Sequence, residues 1–190
     1  MYLETERLTI RHMTEEDFPD WTEYSMDPEL CRMMGTWCPV DEAEAREAFE
    51  WLMVHEKRFY AIVLREEGRC VGHIIVYNFP PISDLPELAG LTGRALSFCV
   101  SGAYQRRGIA TEALSAVLDH LFITRGVDYV NSGFFDFSLP SRRLHEKLGF
   151  TPVSEESVAL PEGGTARGIE TILYNPAPSR AGTECVENTQ

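Results

Sequence analysis

The stretch Tyr104-Gln105-Arg106-Arg107-Gly108-Ile109-Ala110 lies between an apolar run, Leu96-Ser97-Phe98-Cys99-Val100, and a helical stripe of Leu114, Val117, Leu118 and Leu121. A helix that starts just after a strand leaves several backbone N–H groups without intrahelical partners, and its dipole adds partial positive charge there. Pyrophosphate suits that arrangement. Gly108 and Ala110 keep the loop clear of bulky side chains, so oxygens can approach the backbone closely. Gln105 and Ile109 complete the turn, Arg106 and Arg107 supply charge, and Thr111 adds a hydroxyl. A helix-capping turn with two solvated arginines is the plainer reading of the same residues. The loop has neither the Gly-Lys-Ser/Thr of a P-loop nor the Gly-x-Gly-x-x-Gly of a dinucleotide fold.

Working outward, Leu8-Thr9-Ile10-Arg11 alternates like a strand, and Thr14 with Asp17 forms a capping box for a helix to about Met26. Asp41 with Glu44 repeats that pattern, and Ala45, Ala48, Phe49, Leu52 and Met53 give an apolar helical face as far as Lys57. Phe59 to Arg65 and Arg69 to Asn78 read as a hairpin turning at Glu66-Glu67-Gly68. Phe79 to Gly93 is a long connection containing three prolines, of the kind that is often functional. Thr111 to Arg125 predicts a helix stopped by Gly126, and Val127 to Phe135 a strand. Leu139 to Leu148 predicts a short helix, with Thr151 to Val158 and Arg167 to Tyr174 as a closing antiparallel pair. The order predicts an α+β fold, a mixed sheet with helices on both faces. The strands at 96–100 and 127–135 should run parallel, because the helix between them makes a crossover. One domain over 1–174 and a disordered tail over 175–190 complete the expectation.

The 190 residues are 44% apolar and 25% charged, a globular composition. The net charge of −13 makes nucleic acid a poor partner and favours a cationic co-substrate such as an amine. Five scattered cysteines show no zinc or redox spacing, which predicts neither a structural metal nor a disulfide framework, and a reducing cytoplasm. The N-terminus carries no secretory pattern, and no run approaches the ~20 apolar residues of a spanning helix.

Two stretches together carry a resemblance. Gln-x-x-Gly-x-Ala at 105–110, opening a helix, and Ser141 followed by Glu146-Lys147-Leu148-Gly149-Phe150 resemble the Gcn5-related N-acetyltransferase (GNAT) family. Thr5-Glu6-Arg7-Leu8, with Arg11 and Thr14-Glu15-Glu16-Asp17, is similar to its ribosomal-protein N-terminal acetyltransferase subgroup. The resemblance implies a GNAT fold: a mostly antiparallel sheet of about seven strands with two splayed parallel strands. It implies an acetyl-CoA-dependent N-acetyltransferase, with direct attack by a primary amine in a ternary complex. The expected amine is a protein N-terminus or a small molecule, and the expected state a monomer or homodimer. A non-catalytic acyl-CoA sensor with the same cradle is the alternative.

Carried over residue by residue, Phe98, Cys99 and Val100 would line the pantetheine arm, and a backbone N–H near Cys99 would face the thioester oxygen. Cys99 itself reads as a small core residue rather than a nucleophile. Ser138 caps the later helix through the N–H of Ser141, at a position where relatives carry asparagine and the residue touches cofactor. His145 stands where relatives have a tyrosine that protonates the leaving thiolate; it either takes that duty or is a helix residue without one. Ser141 is the other thiol partner, and it also lies among the cofactor contacts. The strand glutamate that serves as base in relatives is missing here, leaving Glu87, Asp84 and His73 as candidates.

Overall fold

Along Phe59–Leu64 every side chain is buried, yet they divide by alternation. Tyr60, Ile62 and Leu64 join one apolar cluster, and Phe59, Ala61 and Val63 join another. A strand with apolar residues at both parities needs a helical layer on each face. The computed structural model, which describes residues 1–177, has both layers.

The strands are β1 (Leu3–Glu4), β2 (Leu8–His12), β3 (Phe59–Leu64), β4 (Arg69–Tyr77), β5 (Gly93–Val100), β6 (Tyr129–Phe135), β7 (Thr151–Ala159) and β8 (Thr165–Tyr174). The helices are α1 (Phe18–Ser25), α2 (Pro28–Met34), α3 (Glu42–His55), α4 (Ile109–Asp119) and α5 (Leu139–Leu148). One eight-stranded sheet runs in the order β1-β2-β3-β4-β5-β6-β8-β7. Every neighbouring pair is antiparallel except β5 with β6. Ile109, Leu114, Val117 and Leu118 of α4 pack on one face, and Phe18, Trp21 and Phe49 of α1 and α3 on the other. The strand beyond the expected seven is β1, which pairs Leu3 with Ile10.

Three elements differ from expectation. The short helix α2 was not foreseen. Its Asp27 side chain accepts from the N–H of Glu29 at 2.9 Å, and Gly35 ends it in a left-handed conformation at φ 66°. The helix after the phosphate loop begins at Ile109, and its last five residues, His120–Thr124, form a π turn. The connection from 79 to 92 is partly core: Ile82 and Leu88 pack with Tyr129 and Ile172, and Pro86–Leu88 forms a 3₁₀ turn.

Asn175, expected to open the tail, is instead buried against the domain. Its Nδ2 donates to the Val127 carbonyl at 3.0 Å and its N–H to that of Asp128 at 2.8 Å. The rest of the expected tail, 178–190, lies outside the described residues. Among the described residues no helix is long and apolar enough to cross a membrane, and no cluster of His, Cys, Asp and Glu is placed to hold a metal.

The decisive feature is a fork. β5 and β6 share the register pairs Gly93↔Tyr129, Arg94↔Val130 and Ala95↔Asn131, and none beyond. β5 stays paired to β4 as far as Val100, and β6 stays paired to β8 as far as Phe135. Each strand follows its outer neighbour, so right-handed twist opens a gap between them.

Candidate active site

The phosphate loop is built by backbone geometry. Gln105 turns its Nε2 back to the Val100 carbonyl at 3.1 Å, tying the loop to the end of β5. Arg106 is left-handed at φ 58°, the one described non-glycine with positive φ. Gly108 follows at φ 79° as the N-cap of α4, and no side chain caps that helix. The first N–H groups of α4 are therefore open to a ligand. A Cβ at Gly108 would approach only the Arg7 guanidinium, at 3.4 Å, so the space above the loop is clear. Ile109 points into the core and leaves its N–H to the loop. Arg106 and Arg107 are exposed, and Arg107 lies 5.1 Å over the Tyr104 ring. These residues fit a pyrophosphate: uncapped donors, positive charge and no obstructing side chain.

The gap supplies a second row of backbone groups. In a strand paired antiparallel on one side, consecutive residues point their polar groups alternately toward and away from that partner. The Leu96 carbonyl accepts from Ser132 Oγ across the fork at 3.0 Å, and the Val100 carbonyl accepts from Gln105. Both carbonyls thus face the gap, and alternation places the polar groups of Phe98 there too. Cys99 faces β4 instead, so the donors next to the gap belong to Phe98 and Val100. The Cys99 side chain packs on the α1–α3 face, where burial pushes its thiol up to about 12. The side chain is thus buried as a neutral thiol within the core.

A cavity of about 500 Å³ occupies the fork. Phe98, Phe134 and Ser141 line it toward α5; Met33, Met34 and Phe79 line it toward α2 and the long connection. Polar residues line it as well, among them Tyr77 and Ser97, with two acidic residues, Glu156 of β7 and Glu170 of β8. Glu170 is held in place because the buried Asn131 donates Nδ2 to its Oε2 at 2.7 Å and to the Thr171 carbonyl at 2.9 Å. Glu170 was missed in the sequence. Its signal was a lone carboxylate inside the apolar run Ile169-Glu170-Thr171-Ile172.

Glu87 is exposed on the 3₁₀ turn, and neither it nor Asp84 lines the cavity. His73 is buried in β4, with its Nδ1 3.1 Å from the Tyr24 hydroxyl and its ring edge-on to Phe59. Burial alone lowers it to about 4. Ser138 is the N-cap of α5 by position, but its side chain makes no capping bond, contrary to expectation. Thr111 stands in the first turn of α4.

His145 is only 2% exposed, among the rings of Phe98, Phe134 and Phe150. Its Nδ1 lies 2.8 Å from the Ser141 carbonyl and its Nε2 is buried without a partner. That pattern fixes the neutral tautomer with Nδ1 protonated. Burial lowers its pKa, against a smaller opposite effect of the Ser141 carbonyl. His145 does not line the large cavity, whereas Ser141 does.

Residues 7–151 match the profile of the acetyltransferase (GNAT) domain. The chain is 30% identical over 151 residues to the uncharacterized N-acetyltransferase YokL, derived from the SPbeta prophage of Bacillus subtilis (strain 168), covering 78% of each. In fold it resembles a GNAT-family acetyltransferase from Bacillus anthracis, with a TM-score of 0.78 at 20% identity over 93% of this chain and 100% of that one. It also resembles the ribosomal-protein-S5-alanine acetyltransferase of Vibrio fischeri, with a TM-score of 0.69 at 17% identity over 94% and 99%. The two structures speak for the fold; the domain match speaks for descent. This chain is an acetyltransferase and belongs to the GNAT family.

Proposed function

We propose that the protein is an acetyl-CoA-dependent N-acetyltransferase that acts on a primary amine by direct attack in a ternary complex. The observation that carries this reading is the fork: β5 and β6 part after Ala95 and Asn131, next to an uncapped helix start. The loop at 105–111 would hold the pyrophosphate of acetyl-CoA. The gap-facing groups of Phe98 and Val100 would bond the pantetheine amides as an added strand does, and offer an N–H to the thioester oxygen.

Glu170 lies on the α1–α3 face of the sheet, in line with Ile172, and Ser141 lies toward α5. The two groups thus approach the fork from opposite sides. Glu170 receives the proton that the ammonium must shed, directly or through one water. The amine nitrogen then forms the C–N bond, the C–S bond breaks, and Ser141 donates a proton to the departing thiolate. The attacking nitrogen sheds its second proton as the amide forms, and that proton returns through water to Ser141, which leaves the hydroxyl as it began. Holding both reactants in one cleft accounts for much of the rate. The similarity to a ribosomal-protein acetyltransferase makes a protein N-terminus one source of the amine, beside small molecules.

Calorimetry with acetyl-CoA, followed by steady-state release of CoA thiol with a panel of amines, tests the proposal. Binding with amine-dependent release supports it. Binding without release from any amine would favour the sensor reading, and absence of binding would remove both.

A further inference from the structure

The cavity's charge is one-sided. Among the described residues that line it, Glu156 and Glu170 alone carry charge, and no Lys, Arg or His joins them. Four arginines are sequence neighbours of lining residues, and each is engaged elsewhere. Arg32 pairs with Glu162 at 3.7 Å, Arg142 with Glu146 at 2.9 Å, and Arg167 with Asp136 and Glu155 at 3.3 Å each. Arg94 donates to the Gly93 carbonyl at 2.7 Å and does not line the cavity. The rest of the acceptor side is mixed: Met33, Met34, Phe79, Pro81, Phe135 and Val158 are apolar, and Tyr77 and Ser97 add two hydroxyls.

Such a chamber discriminates by chemistry. An ammonium group is attracted by Glu170, which the buried Asn131 holds fixed. A carboxylate on the carbon next to that ammonium would be forced toward the same two acids with no cation to receive it. A polyhydroxylated body would set many of its hydroxyls against the thioether and aromatic surface of Met33, Met34, Phe79 and Phe135, with partners only on the side of Tyr77, Ser97 and the two glutamates. An apolar body would instead bury surface against adaptable methionines.

Resting on the acetyltransferase reading above, we infer that the acceptor is a primary amine with an apolar body and no carboxylate beside the nitrogen. Glu170 and Glu156 are its specificity determinants. A free α-amino acid is excluded as a good substrate, and an aminosugar is disfavoured against an apolar amine. Two sources share the favoured chemistry, an aralkyl or alkyl amine and the N-terminus of a peptide that begins with an apolar residue.

The experiment uses the full chain with a matched set: phenethylamine, the amidated tripeptide Phe-Ala-Ala, free phenylalanine and glucosamine. Acetyl-CoA affinity is measured first by calorimetry, because its loss would strike the acetyltransferase reading and this inference together. With that binding intact, kcat/KM for phenethylamine or the peptide amide should exceed that for phenylalanine by roughly 100-fold, the scale of a like-charge penalty. Whichever of the two leads identifies the source. Glu156→Arg, at an exposed position on β7, should narrow the gap between phenethylamine and phenylalanine by about 10-fold without changing acetyl-CoA affinity. Phenylalanine or glucosamine turned over as well as phenethylamine would overturn the inference while leaving the acetyltransferase reading standing. So would a Glu156→Arg variant with unchanged preference.

Discussion

Arg7 and Glu112 form a two-pronged ion pair that ties the start of the chain to the first turn of α4. Arg7 Nη2 lies 2.6 Å and Nε 2.7 Å from Glu112 Oε2, and Nη1 donates to the Arg107 carbonyl at 3.0 Å. Thr5 Oγ1 and the Arg7 N–H also donate to the Glu112 carboxylate. Burial would raise the Glu112 pKa, yet the bonds from Thr5 and Arg7 outweigh it and hold it below the usual range. The pair thus neutralises a carboxylate one helical turn from the phosphate cradle and pins the loop carbonyl of Arg107. Arg7→Ala should weaken acetyl-CoA binding by about 10-fold, since an uncompensated carboxylate would face the pyrophosphate. Arg7→Ala with Glu112→Gln should recover most of that loss in calorimetry. Equal losses in the single and double variants would show that the charge of Glu112 is not what Arg7 controls.

Gly108 concentrates two requirements in one position. Its φ of 79° disfavours any side chain, and the open space above it is where an anion would rest. Gly108→Ala should cost about 1 kcal/mol of stability from backbone strain alone. Gly108→Glu adds bulk and like charge in the cradle, and acetyl-CoA affinity should fall by about 100-fold or more in a protein that still folds. Unchanged affinity in folded Gly108→Glu would remove the pyrophosphate assignment.

Ser141 and His145 share a helix face but not an environment. Ser141 reaches the cavity, while His145 is sealed among aromatic rings with its Nδ1–H on the Ser141 carbonyl. Ser141→Ala is therefore expected to lower kcat by about 10-fold or more with little change in acetyl-CoA affinity. His145→Phe should keep kcat within about threefold and show its effect in stability, through the lost hydrogen bond. The reverse ranking in steady-state kinetics would return the proton to His145.

The fold was legible where local chemistry and pattern agree. Asp41 and Glu44, the alternation from Leu8 to Arg11, and the Gly108 turn each name their own structure, and each formed at its place. Helix α2 was equally written, with Asp27-Pro28 at its start and Gly35 at its end. Its seven residues, however, have too short an apolar period to stand out. The site was legible only as far as backbone motifs extend. Glu170 enters the cavity because β8 pairs with β6 so that Glu170 lies opposite Gly133, a register no local stretch specifies. The burial of His145 was not legible, because periodicity cannot say that Phe98 and Phe134 from two other strands close over it.

His73 makes stability depend on pH. Burial holds it at about 4 in the folded chain, against an ordinary value of 6.5. Between these values the unfolded chain binds more protons, so stability falls as pH drops through that window and is complete above it. From pH 7 to pH 5 this group alone removes about 2 kcal/mol. His145 is shifted the same way by burial and adds to the slope. In urea unfolding at the two pH values, His73→Gln should show a clearly smaller difference than the native protein. An identical difference would mean that other groups carry the acid sensitivity.

The connection from 79 to 92 divides into two parts with separable duties. Phe79 is 85% exposed and lines the cavity mouth, whereas Leu88 is 2% exposed and packs on Tyr129 and Ile172. Replacing the whole segment with a short Gly-Ser turn would therefore uncover core as well as remove a wall, and could not test either role alone. Single truncations can. Leu88→Ala should destabilise by about 2–5 kcal/mol, the cost of a buried leucine, while the folded fraction keeps its acceptor KM. Phe79→Ala should leave stability within about 0.5 kcal/mol, as expected for an exposed side chain. It should raise the acceptor KM by about 5-fold for an apolar amine, through lost apolar contact, and leave acetyl-CoA affinity unchanged. If Phe79→Ala leaves the acceptor KM unmoved, the segment is an anchor for the fork and not a wall of the acceptor site.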